Sequence, residues 1–94
     1  MPEEKPLVYS VTIRPKVYKR LQRLPLNVQA KLRVLLAHLR SDGPVLPTMP
    51  NYSKLGPDTY HCHLGYHYAA CWRNINGTIE IEVHYVGTRQ GAPY

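Results

Sequence analysis

The sequence predicts a small α+β domain in which a helical hairpin packs on a small antiparallel sheet, in the order β-α-α-β-β-β. Two early segments place apolar residues at helical spacing, and three later segments are rich in β-branched and aromatic residues. An Asn-Gly pair, typical of a tight hairpin turn, separates the last two. The 94 residues are predicted to form a single domain, 1–94, with one core.

The first half of the chain supplies one strand and two helices. Apolar and polar residues alternate over residues 7–13, which predicts a strand. A helix is then predicted from Pro15, a residue suited to a first helical turn, to Leu24. Asn27 is a candidate N-cap for the second helix. The apolar stripe of that second helix consists of Val28, Leu32, Leu35, Leu36 and Leu39.

The second half of the chain is predicted to contain a long loop and three strands. Residues 43–58 hold four prolines and two glycines, a composition that favours a surface loop over a helix or a central strand. Strands are predicted over residues 60–64, 68–75 and 78–87, and Asn76-Gly77 is the turn of the last hairpin.

The predicted turn sets the register of the last hairpin. It places Arg73 opposite Glu80 and Trp72 opposite Ile81. Because side chains alternate across a strand, Trp72, Ile81 and Tyr85 are expected to face the helices. The other side of the sheet is expected to be polar.

The strand over residues 60–64 must add its own apolar side chains, Cys62 among them, to the core. His61 and His63 are then expected to project from the polar face. The same register places Cys62 and Cys71 on opposite faces, so a disulfide between them is not expected. A slip of one residue in the pairing would reverse this arrangement.

The composition indicates a partner rich in negative charge. Lys and Arg outnumber Asp and Glu by twelve to six, a formal charge of +6. Two cysteines do not make the framework of a small secreted domain. Neither a signal region nor a membrane span is evident in the sequence, so a cytoplasmic location is predicted.

Two histidines on one strand face offer proton donors and acceptors near neutral pH. RNA carries its own nucleophile, the 2′-hydroxyl, so its cleavage requires a base, an acid and cations for the phosphate, and no metal or cofactor. His61 and His63 are the candidates for base and acid, in either order. The candidates for holding the phosphate are Arg73 and Arg89, and those for stacking a base or orienting the phosphate are Tyr85 and Tyr94.

Simpler interpretations exist for the same residues. Exposed histidines and tyrosines are common on strands, and Arg73 can pair with Glu80 across the hairpin. A metal site is a further alternative, in which His61 and His63 bind together with Cys71 or His84. No Cys-x-x-Cys pair supports it.

The order of several short motifs resembles that of RelE-type toxins of the RelE/ParE superfamily, over almost the whole chain. In that family a Lys-Leu pair precedes a strand with the pattern Tyr-x-x-x-Leu, and Val-Gly-x-Arg and a tyrosine follow the last strand. The matching segments here are Lys54-Leu55, Tyr60-His61-Cys62-His63-Leu64, Trp72-Arg73, Val86-Gly87-Thr88-Arg89 and Tyr94.

The resemblance implies the toxin of a type II toxin-antitoxin system. Such a toxin cleaves mRNA in the ribosomal A site without metal and is neutralised by an acidic antitoxin protein in a hetero-oligomeric complex. The family's basic strand residues fall on His61 and His63, its phosphate-binding arginine on Arg89, and its C-terminal tyrosine on Tyr94, which are the catalytic candidates. The candidates for RNA or phosphate binding are Lys54, His67, Arg73 and Tyr85.

One family position is not matched. The arginine of the third strand falls on Ala69, which cannot bind phosphate, and His67 or Arg73 is the nearest substitute. Replacing lysine by histidine in the preceding strand also exchanges fixed cations for titratable groups, which favours proton transfer.

Two other functions remain open at this point. A ParE-like protein would inhibit DNA gyrase by contact and would have no nuclease activity, although His61, His63 and Arg89 together favour a ribonuclease. A non-catalytic binding or metal-binding module is the third possibility.

Overall fold

The structure, a computed structural model, describes residues 8–93. It has the predicted α+β class, with one long helix packed on a five-stranded mixed sheet. Tyr94 lies outside the described residues. The elements are β1 Ser10–Ile13, α1 Pro15–Tyr18, a 3₁₀ turn Leu21–Arg23, α2 Leu26–Asp42, β2 Ser53–Lys54, β3 Thr59–His63, β4 Tyr68–Asn74 and β5 Glu80–Thr88.

The first arm of the predicted helical hairpin is much shorter than expected. The prediction of a helix from Pro15 to Leu24 was wrong, because α1 ends at Tyr18. Val17 is the buried residue of α1, and the 3₁₀ turn buries none. So short a segment has little packing to hold it in a helix. The N-cap prediction was also wrong, since Pro25 takes that position and Asn27 lies inside α2.

Helix α2 supplies the helical half of the core. The predicted apolar stripe is confirmed, since all five residues are buried. The helix ends at Gly43, whose φ of 90° is one that residues with a Cβ rarely adopt. A Cβ at Gly43 would also lie 2.7 Å from the ring of Tyr9. The stripe consists of Val28, Leu32, Leu35, Leu36 and Leu39.

The sheet has the strand order β1-β5-β4-β3-β2. It was predicted to be antiparallel, but it is mixed. Strand β1 pairs in parallel with β5, with Thr12 beside Glu82. The segment over residues 43–58 was predicted as a loop, but it contributes the edge strand β2. That strand has two residues and carries Lys54 beside Tyr60. Short, charged strands are usual at a sheet edge.

The turn between β4 and β5 is longer than two residues, so the predicted register of this hairpin was wrong. Asn76 and Gly77 do have positive φ, as expected. However, the backbone N–H of Glu80 donates to the hydroxyl of Thr78, and the N–H of Ile75 bonds to the carbonyl of Glu80. The pairing therefore shifts by two residues. Arg73 lies opposite Glu82, not Glu80, and Trp72 opposite Val83, not Ile81.

A β-bulge reverses the alternation along β5. Trp72 pairs with Val83, but Cys71 pairs with Tyr85, so His84 is the extra residue. Beyond the bulge Val86 enters the core, and Tyr85 turns to the opposite face. The prediction that Tyr85 packs against the helices was therefore wrong.

The sheet half of the core centres on Trp72, which is fully buried. Its indole Nε1 donates to the carbonyl of Pro44 at 2.9 Å, and its ring stacks on Tyr60 with centroids 6.2 Å apart. The predicted separation of the cysteines is confirmed, since Cys62 pairs with Ala70 and His61 with Cys71, and both thiols are free. Burial raises the pKa of Cys62 to about 12.

Within residues 8–93, no helix has both the length and the apolar character needed to cross a membrane.

Candidate functional site

The sheet face opposite α2 carries both histidines of β3, as the pairing register predicted. His61 lies between Ser53 of β2 and Cys71 of β4. His63 lies opposite Ala69 of β4. The two imidazole rings are neighbours on this face, with centroids 5.7 Å apart and an interplanar angle of 61°. The strand geometry therefore brings two titratable groups together.

The two histidines differ in exposure. His61 was expected to be exposed, but it is only 8% exposed, whereas His63 is half-buried. The Oγ of Ser53 lies 3.0 Å from Nδ1 of His61. Burial lowers the pKa of His61, and a hydrogen bond with the backbone of Ser53 partly opposes that effect. His63 is therefore the imidazole better placed to meet a ligand, with His61 behind it.

Arg89 stands beside His63 at the end of β5. The loop between β3 and β4 holds it, because its backbone N–H donates to the carbonyl of His67 at 2.8 Å and its Nη1 donates to the carbonyl of Tyr66 at 2.9 Å. Burial, then the charge of Arg89, and then His61 lower the pKa of His63. The neutral imidazole is therefore favoured near pH 7, next to a fixed positive charge.

His63 and Arg89 line one groove of about 610 Å³. None of the acidic residues among residues 8–93 lines it. The groove runs between α2, the segment before β2, and the loop that joins β3 to β4. Its other lining residues are Lys31, Val34, Met49, Pro50, Asn51, Leu64, Gly65 and Tyr66.

Sequence reasoning missed Ser53, Lys31, Asn51 and Tyr66 as members of this site. Lys31, Asn51 and Tyr66 line the groove with His63, and Ser53 contacts His61, so only the folded chain brings them to the site. Asn51 and Ser53 fall in the segment 43–58, which was predicted as a surface loop and in which Lys54 was the residue suggested for RNA binding. Tyr66 follows Gly65 in the short loop between β3 and β4. This glycine is the one local feature of the sequence that indicates an exposed aromatic side chain at position 66.

Tyr85 lies on the histidine face, but its hydroxyl is already engaged. It donates to the carbonyl of Thr88 at 2.6 Å. The same hydroxyl lies against Gly87, where an added Cβ would come within 2.8 Å of it. Tyr85 thus braces the backbone that leads to Arg89, and Gly87 provides the space for its ring.

Two of the cations that the sequence suggested for RNA binding lie away from His63. Lys54 pairs with Tyr60, a core residue, so it projects on the opposite side of the sheet from His61, and its Nζ lies 6.0 Å from the Tyr60 ring centroid. Arg73 is four residues along β4 from Ala69, about 13 Å at the usual rise of a strand.

Arg73 is also already paired. Its Nε donates to Oε1 of Glu82 at 3.1 Å, and Arg14 reaches the same oxygen at 3.0 Å. The predicted partner Glu80 is replaced by Glu82 because of the shifted register. Burial lowers the pKa of the adjacent His84, and the charge of Arg14 adds to this effect.

The unmatched family position is explained in part by the fold. Ala69 is fully buried between His63 and Gly87, where a long side chain does not fit without rearrangement. His67 is exposed in the loop after β3, and its ring packs edge-on against Tyr66, with centroids 4.8 Å apart. Its carbonyl holds Arg89. Arg89 is therefore the fixed cation beside His63.

The metal alternative finds no support in the described part of the chain. Among residues 8–93, no three His, Cys, Asp or Glu side chains come together in a group that could hold a metal ion.

No sequence-family model matches the chain, and no curated protein matches it significantly. Solved structures do. A chain of the RelE–RelB complex from Pyrococcus horikoshii superposes with a TM-score of 0.76 at 24% identity, covering 92% of this chain and 100% of that one. The chain has the RelE toxin fold. The isolated RelE toxin of E. coli gives 0.69 at 17% identity, with 90% and 88% covered.

The likeness extends to a second complex, YoeB–YefM, which is described as a toxin-antitoxin complex. A chain of the YoeB–YefM complex from Staphylococcus aureus gives a TM-score of 0.68 at 13% identity, covering 86% of this chain and 97% of that one. These matches give no support to the ParE-like alternative. At such identities these matches establish a shared fold.

Proposed function

We propose that this RelE-fold protein is the toxin of a type II toxin-antitoxin system and an endoribonuclease that cleaves mRNA on the ribosome. The observation that carries the proposal is the half-buried imidazole of His63 beside the guanidinium of Arg89, on a protein of net charge +6. A base and a fixed cation are the groups that metal-independent RNA cleavage needs.

The reaction follows from the state of these groups. Neutral His63 takes the proton of a ribose 2′-hydroxyl, and O2′ attacks the adjacent phosphorus while Arg89 offsets the charge on the phosphoryl oxygens. The O2′–P bond forms and the P–O5′ bond breaks, which leaves a 2′,3′-cyclic phosphate. The departing O5′ takes a proton from a histidine imidazolium or from water.

The other catalytic candidates have supporting places in this scheme. His61 lies behind His63, where its own charge state affects that of His63. Tyr94, five residues after Arg89 in the sequence, is proposed to stack on a base or to orient the phosphate. Arg73, His67, Lys54 and Tyr85 are proposed at most as outer contacts to RNA, since none of them is among the groups that shift the pKa of His63, as Arg89 is.

The partners follow from charge and from the fold. The basic surface fits mRNA and ribosomal RNA, whose phosphates attract Lys and Arg. It equally fits an acidic antitoxin. The matched structures from Pyrococcus and Staphylococcus contain RelB and YefM, respectively. We propose a corresponding toxin-antitoxin hetero-oligomer and a cytoplasmic site of action.

Controlled induction followed by mapping of mRNA ends tests the proposal. The wild type is expected to arrest growth and to create new mRNA ends within codons, and His63→Ala is expected to create none. His38→Ala is the matched control, because His38 is an exposed residue of α2 paired with Asp42 and lies outside the groove. It should behave as the wild type.

Purified protein with programmed ribosomes and with free mRNA then tests ribosome dependence. Cleavage only in the presence of ribosomes is expected. Growth arrest with intact messages and with relaxed or broken DNA would contradict the proposal and would favour a gyrase inhibitor.

A further inference from the structure

We infer that the groove beside His63 is a nucleobase subsite, which binds the base of the nucleotide next to the cleaved phosphate. This groove is called the base groove below and has the lining residues given above. Tyr66 supplies the stacking surface, and Asn51 supplies the amide that discriminates between bases. The inference rests on the proposed function, because it names the part of the substrate that the same site holds.

The base groove is continuous with the proposed reaction centre. His63 and Arg89 both line it, so a nucleotide whose phosphate contacts Arg89 has its base within reach of the groove. The volume of about 610 Å³ lies in the range of sites that enclose small ligands, roughly 300 to 1,000 Å³. It is therefore large enough for one nucleoside.

The surface of the groove suits an aromatic ring. Met49, Pro50 and Leu64 supply apolar surface, and Val34 of α2 is exposed beside them. Tyr66 is 81% exposed, an unusual state for a large aromatic residue at the rim of an apolar groove. Bases of single-stranded RNA stack on such side chains.

The backbone that carries one polar side chain of the groove, Asn51, has a defined conformation. Asn51 has a φ of 52°, in the left-handed region that asparagine tolerates better than most residues. The carbonyl of the preceding Pro50 accepts a hydrogen bond from the backbone N–H of His63 at 2.8 Å. The loop is therefore tied to β3 directly at the proposed catalytic residue. An amide carries both a donor and an acceptor, so it can distinguish base edges.

The charge of the groove fits a phosphate-linked ligand. Lys31 and Arg89 are its fixed cations. Nζ of Lys31 lies over the backbone of Gly65, where an added Cβ would be 3.1 Å away from it. An acidic peptide would share this charge complementarity. A concave apolar surface that ends at a proton-transferring histidine favours RNA, because RNA needs the base and the phosphate to be held together.

Cleavage of a panel of ribosome-bound mRNAs, varied at the nucleotides on both sides of the cleaved bond, tests the inference. Asn51→Gly keeps a residue suited to positive φ and removes the amide. It is expected to reduce discrimination between bases at one position by about tenfold. Tyr66→Ala is expected to lower kcat/KM by about tenfold through lost stacking.

The chain offers matched controls for both variants. Asn76→Gly removes an asparagine side chain at nearly the same φ, 51°, in a turn far along the sequence from the groove. Tyr18→Ala removes a similarly exposed tyrosine from α1. Both controls are expected to keep the cleavage pattern and the kcat/KM of the wild type.

The outcomes that overturn the inference are distinct from failure of the proposed function. If Asn51→Gly and Tyr66→Ala cleave the whole panel as the wild type does, or if they change only neutralisation by the antitoxin, the base groove does not bind RNA. If the wild type cleaves nothing, the proposed function fails. In that case, the inference is tested by adding a 2′-O-methyl trinucleotide and measuring changes in NMR chemical shifts. Shifts at Asn51 and Tyr66 support it, and their absence overturns it.

Discussion

The hydroxyl of Ser53 lies 3.0 Å from Nδ1 of His61 and joins the edge strand β2 to the histidine pair on β3. Because β2 has only two residues, this contact is one of few that link it to the site. The contact restrains the ring of His61, whose centroid is 5.7 Å from that of His63. Ser53 is thus placed to position His61 and, through it, to influence the charge state of His63.

Removal of the Ser53 hydroxyl is expected to slow cleavage. A hydrogen bond of this kind contributes about 0.5–1.5 kcal/mol, so Ser53→Ala should lower kcat roughly two- to tenfold and change the pH profile. Ser53→Thr keeps the hydroxyl and is the control. Single-turnover rates from pH 5 to 8 measure both effects. Equal profiles for Ser53→Ala and the wild type would show that the contact does not matter for the reaction.

Loss of the Arg89 charge is expected to raise the pKa of His63. Burial is the largest cause of its lowered pKa and remains in Arg89→Gln, but the repulsion between the guanidinium and the imidazolium disappears. NMR titration of the imidazole measures the shift without any need for catalysis. Arg73→Gln is the matched control, since Arg73 is not among the causes of the His63 shift. An unchanged His63 pKa in Arg89→Gln would contradict the geometry.

The sequence predicts best where a periodic pattern meets a buried surface. The stripe of α2 and the opposite faces of Cys62 and Cys71 follow from alternation and burial alone. Tyr85 was misplaced because one extra residue, His84, reverses the alternation beyond it. The side chain of Thr78 lengthens the turn that the Asn-Gly pair predicts. The apolar pattern of the sequence shows neither the bulge nor the longer turn.

The site itself could be predicted only in part. His63 and Arg89 were identified because titratable and cationic residues are visible in the sequence. Ser53, which pairs with His61, and Asn51 and Tyr66, which line the groove with His63, were not, because their positions depend on how distant segments and loops pack in the fold. A local pattern carries no information about such contacts.

The stability of the protein is expected to fall as the pH drops below about 6.5, the usual pKa of histidine in an unfolded chain. Burial is the largest cause that lowers the folded-state pKa values of His61, His63 and His84. The unfolded chain therefore binds protons first, and the free energy of unfolding decreases with falling pH. Urea unfolding at pH 7.5 and pH 5.5 measures it.

The histidine origin of that pH effect can be tested directly. His84→Gln is expected to reduce the difference between the two pH values. Glu82, whose pKa arginine contacts hold below its usual value despite burial, loses its contribution only at lower pH. A free energy of unfolding that is equal at both pH values would rule out the effect.

Replacement of Trp72 by phenylalanine is expected to destabilise the fold without removing the site. The variant loses the hydrogen bond from Nε1 to the carbonyl of Pro44 and leaves space in the core, at a cost of about 1–3 kcal/mol. Urea unfolding measures the change. Trp72 faces α2, so the cleavage rate of the folded protein should stay close to that of the wild type. A large loss of rate at full folding would contradict this separation.

Gly87→Ala is expected to reduce cleavage through Tyr85. The glycine has no unusual φ, but a Cβ there would lie 2.8 Å from the hydroxyl of Tyr85 and 3.0 Å from its Cζ. The ring must therefore move, which breaks its 2.6 Å hydrogen bond to the carbonyl of Thr88 and loosens the segment that carries Arg89. We expect at least a fivefold lower kcat, with a small change in unfolding free energy because the clash involves a movable side chain.

Gly77→Ala is not a suitable control, since its φ is positive. Tyr85→Phe is better, because it breaks the hydrogen bond without adding a Cβ and should show the same direction of change. If neither variant slows cleavage, Tyr85 does not brace Arg89.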